Sequence, residues 1–226
     1  MHEGPNIARI ATIIGERGRA QILTTLMSGR AMTATELADA AGVTRPTASS
    51  HLSKLHQAKL IAADRQGRHR YFRIASSDVA ELLEGMMGAA HQIVASPMFG
   101  PADPALRKAR LCYDHLAGEL GVLIYDGIER RHGFTMSNRG LVLNEGGWQL
   151  LGELGLRAGE MPQTRRPQCR ACIDWSERRH HLAGTIGACL LARLVELRWA
   201  QLLHGSRVVR FTAAAERSLR EIFSNA

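Results

Sequence analysis

Cysteine is scarce in this chain of 226 residues, and residues 1–94 contain none. The four cysteines, Cys112, Cys169, Cys172 and Cys189, all lie in the second half. Four cysteines in a chain of this length are too few for a disulfide scaffold. We therefore expect reduced thiols and a cytoplasmic protein.

Long apolar runs and aromatic residues are also lacking. No run approaches the roughly 18 apolar residues that a membrane helix needs, so we expect no membrane partner. The first residues contain acids and a Gly-Pro pair, and no cleavage site follows a long apolar stretch, so no secretion signal is predicted. Aromatic residues make up only 5% of the chain, whereas hydrophobic residues make up 45%. The cores are therefore expected to consist mainly of Ala, Leu, Val and Ile.

Acidic residues are few in one basic segment of the chain. The formal net charge is +8, and residues 44–73 hold seven lysines and arginines but a single acid, Asp64. A local excess of this kind fits an anionic partner such as DNA. The alternative is an ordinary solvated basic face.

The same segment has the outline of a helix-turn-helix. Thr33 and Glu36 form a capping-box pattern at the start of one short helix. Gly42 separates it from a second helix, which Thr44 caps and which carries Pro46 in its first turn, where a missing N–H costs nothing. Such a pair presents its second helix to the DNA major groove.

A wing is predicted directly after the second helix. Residues 60–65 and 70–74 resemble two strands of a hairpin around Gln66-Gly67. In the second helix, Ala48, Leu52 and Leu55 are spaced to face the core. Arginine suits guanine, and basic wing residues suit phosphates or the minor groove. The predicted DNA-contacting residues are Thr44, Arg45, Thr47, Ser49, Ser50, Lys54, Arg68 and Arg70.

This segment, TELADAAGVTRPTASSHLSKLHQAKLIAADRQGRHRYFRI, resembles the ArsR/SmtB family of winged-helix repressors nearly throughout. The resemblance covers about residues 7–94. It implies a winged helix-turn-helix fold and a cytosolic homodimer that binds double-stranded operator DNA. It also implies release from the operator by an effector, either a metal ion or a small molecule.

A fifth helix is predicted after Ser76-Ser77. Its apolar residues recur at intervals of three and four and form a wide stripe, which exceeds the needs of a small winged-helix core. We interpret this stripe as a homodimer face. Its predicted contact residues are Val79, Leu83, Met86, Met87 and Ala90.

The metal sites that the family resemblance implies are incomplete here. In the third helix, residues 38–41 hold no cysteine. On the dimer helix, Asp78 and His91 match one acid and one later ligand in spacing, but Ala80 and Val94 occupy the two other positions. We therefore expect the effector to act through the second half of the chain.

The predicted fold class is mainly α with small β-hairpins (α+β). Residues 1–94 are expected to form the DNA-binding and dimerisation domain, 95–104 a proline-containing linker, and 105–226 an effector domain. That domain should be mostly helical, with helices over 106–120 and 175–203. Residues 142–154 weakly resemble residues 210–222, so a winged-helix-like arrangement is one alternative for it.

The effector domain carries a candidate metal site. Cys169 and Cys172 have a spacing that lets two thiolates bind one ion. Cys112 and His115 are three residues apart on a predicted helix, so their side chains should point the same way. These four residues could hold Zn²⁺ or another thiophilic ion. The reserve ligands are Asp114, His180 and His181.

Three other interpretations stay open. Cys169 and Cys172 could form a reversible disulfide in a redox sensor. Cys112 and His115 could be a nucleophile and its base, but no group visibly orients them and no other enzymatic motif is present, so an enzyme is not predicted. The domain could instead bind an organic effector in a pocket. The residues considered for that pocket are Tyr113, Tyr125, Phe134, Trp148, Trp175 and Trp199.

Overall fold

A computed structural model describes residues 7–66, 69–93, 101, 103–138, 140–164 and 166–224, without the side chains of residues 91–93. The chain divides into two compact units, Met1–Met86 and Met87–Ala226. The division falls inside a helix, whereas the sequence suggested a linker over 95–104, most of which lies outside the described residues. The three predicted domain ranges stay predictions.

The first unit is a small helical fold with one antiparallel sheet. Three strands pair in the order β1-β3-β2. The helices are α1 (Ile7–Ile14), α2 (Arg17–Leu26), α3 (Ala34–Ala41), α4 (Arg45–Gln57) and α5 (Ser77–Ile93), the last of which crosses the division between the units. The strands are β1 (Met32–Thr33), β2 (Ile61–Gln66) and β3 (His69–Ile74).

Local capping explains the helix-turn-helix between α3 and α4. Thr33 and Glu36 form the predicted capping box at the start of α3. Gly42 follows α3 with a φ of 64°, a left-handed conformation that glycine adopts without the cost of a Cβ. The Thr44 side chain then accepts a hydrogen bond from the Thr47 N–H and begins α4. These residues confirm the predicted helix-turn-helix.

Both α4 and the wing strands contribute to the core of the first unit. Ala48, Leu52 and Leu55 are buried, as their spacing predicted. Helices α2 and α3 pack against α4, which fixes the face that α4 turns to solvent. Other buried residues of this core are Ile22, Leu23, Leu26, Leu37, Leu60, Ile61, Phe72 and Ile74.

The second unit repeats one order of elements. The unit begins with α6 (Pro104–Lys108). Two halves follow, and each consists of a hairpin, a helix, a second hairpin and a second helix. The first half contains β4 (Arg110–Cys112), β5 (His115–Ala117), α7 (Glu119–Arg130), β6 (Phe134–Ser137), β7 (Gly140–Leu143) and α8 (Glu145–Gly152). The second contains β8 (Arg170–Ile173), β9 (His180–Ala183), α9 (Gly184–Glu196), β10 (Ala200–Leu202), β11 (Val209–Phe211) and α10 (Ala213–Ser224). The whole chain is thus α+β, as predicted.

Two helices expected from the sequence are interrupted by hairpins. The helix expected over 106–120 ends at Lys108, and the helix expected over 175–203 is replaced by a turn, β9, α9 and β10. Gly118 directly precedes α7 and Gly184 is the first residue of α9, with φ values of 85° and 86°. A Cβ at Gly118 would lie 2.5 Å from the Arg107 carbonyl oxygen. A right-handed helix cannot continue through either glycine in this conformation.

The two halves of the second unit exchange contacts. Helix α7 packs on β9, and α9 packs on β5, so each helix covers the hairpin of the other half. A Cβ at Gly121 of α7 would lie 2.5 Å from the Leu116 carbonyl oxygen of its own half and 3.5 Å from the His181 Cβ of the other half. A Cβ at Gly187 of α9 would likewise lie 2.3 Å from the Leu182 carbonyl oxygen of its own half and 3.2 Å from the His115 Cβ of the other. Each glycine therefore leaves room for the preceding strand and for a histidine of the opposite half.

An aliphatic core fills the second unit. Its members come from every helix between α7 and α10, and Tyr125 and Phe223 are its buried aromatic residues. Among the residues that the structure describes, no helix is both long and apolar enough to cross a membrane.

Candidate functional site

Helix α4 presents a polar face to solvent. All the residues that the sequence assigned to DNA contact on and before this helix are exposed: Thr44, Arg45, Thr47, Ser49, Ser50 and Lys54. The hydroxyls of Thr44 and Thr47 lie 2.8 Å apart, so the helix start is held by a side-chain hydrogen bond. The exposed face combines one arginine, one lysine and four hydroxyl side chains.

The wing adds a second basic surface. Arg70 is exposed on β3, with its guanidinium 5.1 Å from the centre of the Phe72 ring. The Arg73 Nε donates to Asp64 at 2.8 Å, so the one acid of this segment is paired across the hairpin. Arg68 lies outside the described residues.

His51 connects α4 to the start of α2. Its side chain is largely buried, and its Nε2 lies 3.3 Å from a carboxylate oxygen of Glu16. The same carboxylate accepts from the N–H groups of Gly18 and Arg19, and the first of these bonds is the main reason that the pKa of Glu16 lies below its usual value. His51 thus packs against α2.

Helix α5 exposes part of its apolar stripe. Leu82 and Met86 are 46% and 39% exposed. Of the other residues predicted at a dimer contact, Ala90 is exposed, and Val79 and Met87 are half-buried. Leu83 is instead buried within its own chain. The dimer contacts themselves stay a prediction.

The structure brings together two cysteines and two histidines in the second unit. Cys112, His115, Cys172 and His181 are all buried, and their candidate ligand atoms lie within 4.8 Å of one another. We call these four residues the Cys/His cluster. Its two histidines stack at 5.1 Å between ring centres, with their Nε2 atoms 3.2 Å apart.

Hairpin register explains how the Cys/His cluster forms. Cys112 and His115 are opposite residues of β4 and β5, and Cys172 and His181 are opposite residues of β8 and β9. Opposite residues of an antiparallel pair point to the same face of the sheet. Each hairpin therefore supplies one thiol and one imidazole. The proximity predicted for Cys112 and His115 is present, but it arises from a hairpin and not from a helix.

Cys169 does not belong to the Cys/His cluster, which differs in this respect from the predicted ligand set. It precedes β8 and lies in the aliphatic core, where burial raises the pKa of its thiol to about 12. A thiolate is therefore disfavoured there at neutral pH, which argues against both metal binding and disulfide exchange at this residue. None of the four cysteines, all of which the structure describes, forms a disulfide.

The fourth member of the Cys/His cluster is His181, whereas the sequence predicted Cys169. Burial, and then the neighbouring His115, lower the pKa of His181 well below its ordinary value, so the imidazole is neutral. Neutral imidazole is the form that binds metal ions. The other reserve ligand, His180, is exposed and pairs with Ile173 across the hairpin. It points away from the Cys/His cluster, because successive strand residues face opposite sides.

Two aspartates flank the Cys/His cluster. Burial by itself would raise the pKa of Asp114, but hydrogen bonds from His115 and Arg166 outweigh it and lower this pKa. Burial would likewise raise the pKa of Asp174, yet the charge of Arg110 holds it well below its usual value. Both carboxylates are therefore ionised at neutral pH.

Asp174 also connects the two halves of the second unit. One of its oxygens accepts from the Arg110 guanidinium at 2.7 Å, and the other accepts from the Gly118 N–H at 2.7 Å. The Ser176 N–H and hydroxyl bind the first oxygen at 2.9 and 2.8 Å. The Arg110 guanidinium lies 4.7 Å from the centre of the Trp175 ring. Both oxygens of this fully buried carboxylate thus accept hydrogen bonds in addition to the ion pair.

A cavity of about 570 Å³ lies beside the loop that contains the 3₁₀ helix Ala158–Glu160. Arg166 and Thr185 are in its lining, and Arg166 also pairs with Asp114. None of the six aromatic residues proposed for an organic pocket lines it. Trp199 lines a second cavity, of about 540 Å³. Tyr125, Phe134, Trp148 and Trp199 instead pack in or against the core.

A sequence signal for His181 was present but was not used. The motif H-L-A-G-x-x-G occurs at 115–121 and again at 181–187, and C-x-D precedes it at 112–114 and 172–174. The weaker similarity of 142–154 to 210–222 falls at equivalent places, where a strand runs into α8 and α10. The paired motifs would have put His115 and His181 in equivalent roles.

Comparison with known proteins identifies the first unit and extends over the whole chain. The helix-turn-helix domain family matches residues 15–62. The "Uncharacterized HTH-type transcriptional regulator YdfF" of Bacillus subtilis (strain 168) is 37% identical over 213 residues, which cover 94% of each chain.

Other matches cover less than half of this chain. HTH-type transcriptional regulator KmtR of Mycobacterium tuberculosis (strain ATCC 25618 / H37Rv) is 29% identical over 46% of this chain and 74% of the relative. A solution structure of the homodimeric winged helix-turn-helix domain of Mb0332 from Mycobacterium bovis is 28% identical, with a TM-score of 0.37, over 42% of this chain and 87% of that one. The two relatives are named as transcriptional regulators and not as enzymes, in agreement with the sequence-based prediction.

Proposed function

Because this chain belongs to the family of HTH-type transcriptional regulators, as its ArsR/SmtB resemblance predicted, we propose that it is a cytoplasmic repressor that binds operator DNA as a homodimer. A thiophilic metal ion bound at the Cys/His cluster releases it from the operator. The observation that carries this proposal is the convergence of two buried thiols and two buried imidazoles from separate hairpins.

The DNA-binding part of the proposal rests on α4 and the wing. Arg45 at the helix start is exposed and suits a bidentate contact with guanine. Lys54 and Arg70 are exposed on α4 and β3, where they suit phosphates on either side of the groove. The buried face of α4 is packed by α2 and α3, so only its polar face is available to DNA.

The dimer part of the proposal rests on exposed apolar side chains. Leu82 and Met86 lie one helical turn apart on α5, and Ile7 of α1 is 79% exposed. Exposed apolar side chains are stabilised when a partner covers them. We propose that a second copy of this chain covers them, since a helix-turn-helix dimer places two recognition helices in successive major grooves.

The metal part of the proposal rests on the donor set. Two thiolates and two imidazoles are a common ligand set for tetrahedral Zn²⁺, and they also suit other soft ions. The groups are buried, the imidazole of His181 is neutral, and its Nδ1 has no hydrogen-bond partner among the described residues. The residues therefore fit a metal ion. Such an ion would link the β4-β5 hairpin to the β8-β9 hairpin.

Sensing requires that the ion bind more tightly to the released form than to the DNA-bound form. A tenfold reduction in DNA affinity needs a difference of about 1.4 kcal/mol between the two forms. The site joins the two halves of the second unit, so ion binding can favour one arrangement of these halves over another. The proposed order of events is ion binding, rearrangement of the second unit and loss of operator affinity.

The experiment measures operator binding with and without Zn²⁺. A preferred duplex is first selected from a random pool, and its affinity is then measured by fluorescence anisotropy. Zn²⁺ should weaken binding by the wild type, whereas Cys112→Ser should bind the duplex normally without responding. Cys189→Ser is the matched control, because Cys189 lies on α9 outside the Cys/His cluster. An unchanged Zn²⁺ response in Cys112→Ser would rule out this site as the sensor.

A second candidate effector is a small organic molecule in the 570 Å³ cavity. Arg166 supplies a cationic group at the cavity wall, and its pairing with Asp114 connects the cavity to His115. This candidate predicts that a selected operator complex is insensitive to Zn²⁺, Cd²⁺ and Co²⁺ but is released by an organic anion. Filling the cavity with Ala158→Trp should then abolish that release, while Gly152→Ala should not.

A further inference from the structure

Each histidine of the Cys/His cluster directs its second ring nitrogen towards a carboxylate. The His115 Nδ1 lies 3.2 Å from an oxygen of Asp114, and the His181 Nδ1 lies 3.7 Å from an oxygen of Asp174. The repeated C-x-D motif supplies both carboxylates, two residues after Cys112 and Cys172. The arrangement is thus duplicated, but the two distances differ.

The distances distinguish the tautomers of the two rings. The two Nε2 atoms are 3.2 Å apart, and a hydrogen bond between neutral imidazoles requires one of them to carry the proton. The His115 Nδ1 is within hydrogen-bond distance of Asp114, so in the neutral ring Nδ1 is the protonated nitrogen and Nε2 accepts. The His181 Nδ1 has no hydrogen-bond partner among the described residues, so His181 donates through its Nε2.

We propose that Asp114 and Asp174 are positioning residues for the two histidine ligands. Metal binding then moves the His181 proton from Nε2 to Nδ1, and the Nδ1–H donates a hydrogen bond to the Asp174 carboxylate. This inference rests on the proposed metal-binding function. An ion would occupy the Nε2 lone pair of each ring. His181 would lose its Nε2 proton to water and would take up a proton from water at Nδ1, so the net charge of the ring would not change. Any protonated thiol that becomes a ligand would release its proton to water.

The two aspartates then have different roles. Asp114 already accepts from His115, so this half of the site is ready to bind through Nε2. Asp174 gains a hydrogen bond from His181 only when the His181 proton moves. Because Asp174 also accepts from the Gly118 N–H at the start of α7, a shift of its carboxylate towards His181 would be transmitted to that helix. A carboxylate or carbonyl behind a metal-bound histidine is a general means of fixing its tautomer.

The direct test is NMR of the full chain with ¹⁵N-labelled histidine, recorded before and after one equivalent of Zn²⁺. The Nδ1 and Nε2 shifts report which nitrogen carries the proton, and a His181→Gln variant assigns the resonances. Before Zn²⁺, His115 should be protonated on Nδ1 and His181 on Nε2. After Zn²⁺, both should be protonated on Nδ1. The proposal is overturned if His181 is already protonated on Nδ1 before Zn²⁺, or if it binds through that nitrogen.

A second measurement tests the positioning role separately from folding. Asp114→Asn should lower Zn²⁺ affinity by about 10–100-fold, the usual effect of removing such a partner, as measured by chelator competition. Asp126→Asn is the matched control, because Asp126 is a buried carboxylate that pairs with Arg179 and lies outside the cluster. Equal affinity of Asp114→Asn and the wild type would refute the positioning role alone. Absence of Zn²⁺ binding by the wild type would refute the proposed function itself.

Discussion

The variant Gly187→Ala, which adds one methyl group, should lower the free energy of unfolding of the second unit. A Cβ at this residue would lie 2.3 Å from the Leu182 carbonyl oxygen and 3.2 Å from the His115 Cβ. Replacing a helical glycine by alanine normally stabilises a helix by about 0.8–1 kcal/mol. Overpacking in a tight core costs about 1–3 kcal/mol, and here the backbone is one of the groups that must move. A clash with backbone belongs in the upper part of that range, so we expect Gly187→Ala to lose roughly 1–2 kcal/mol net.

The control for Gly187→Ala is Gly152→Ala. Gly152 is exposed at the end of α8, and a Cβ there would have no neighbour within 4 Å. This variant should be unchanged or stabilised by up to about 1 kcal/mol. Urea unfolding followed by circular dichroism measures both variants. Gly187→Ala should also bind Zn²⁺ more weakly, because the methyl group displaces His115. Equal or higher stability of Gly187→Ala would refute the close approach of α9 to Leu182 of β9 and His115 of β5.

Four further variants and one pH dependence test other parts of the account. Leu52→Ala should destabilise the first unit by about 2–5 kcal/mol in chemical unfolding, because the Leu52 side chain is on the buried face of α4. Arg45→Ala should lose about 1–3 kcal/mol of discrimination between duplexes, whereas Arg70→Ala should weaken all duplexes alike and reduce the salt dependence of binding. Met86→Arg should give monomers in sedimentation and lose operator binding, because it would place an unpaired charge in the dimer contact. The pKa of Asp174 is lowered in the folded state, so the ionised carboxylate stabilises the fold above about pH 4. This stabilisation is lost as the pH falls towards the folded-state pKa of Asp174. Acid unfolding of Asp174→Asn should not show this loss.

Local signals were sufficient to predict the first unit. The capping box at Thr33, the turn at Gly42 and the cap at Thr44 act within a few residues of one another, so the sequence shows them directly. Hydrophobic spacing then identified the buried face of α4. The short β1 strand was missed because its two residues are held by pairing with β3, a contact distant in sequence.

The second unit was harder to predict because long-range contacts define it. The segments around Gly118 and Gly184 contain enough apolar residues to resemble continuous helices. In the structure, each glycine has a positive φ and lies between a hairpin and a helix. Only comparison of the two H-L-A-G-x-x-G motifs with each other would have shown that the same break occurs twice.

The candidate metal site was predicted in part. The proximity of Cys112 and His115 was expected, and Cys172 was included, but the spacing of Cys169 and Cys172 suggested a pair that the fold separates. Cys169 precedes the strand and enters the aliphatic core, whereas Cys172 is paired with His181 across the hairpin. Spacing along the chain could not show which cysteine faces the other half.

Metal content of two neighbouring histidine variants tests the central claim most directly. His180 and His181 are adjacent on β9, but the first is exposed and the second belongs to the Cys/His cluster. Wild type, His180→Ala and His181→Ala should each be dialysed against the same Zn²⁺ buffer and measured by elemental analysis beside the protein concentration. The account predicts one tightly bound ion per chain in the wild type and in His180→Ala, and its loss from His181→Ala. Equal metal content in the two variants, or none in the wild type, would contradict it.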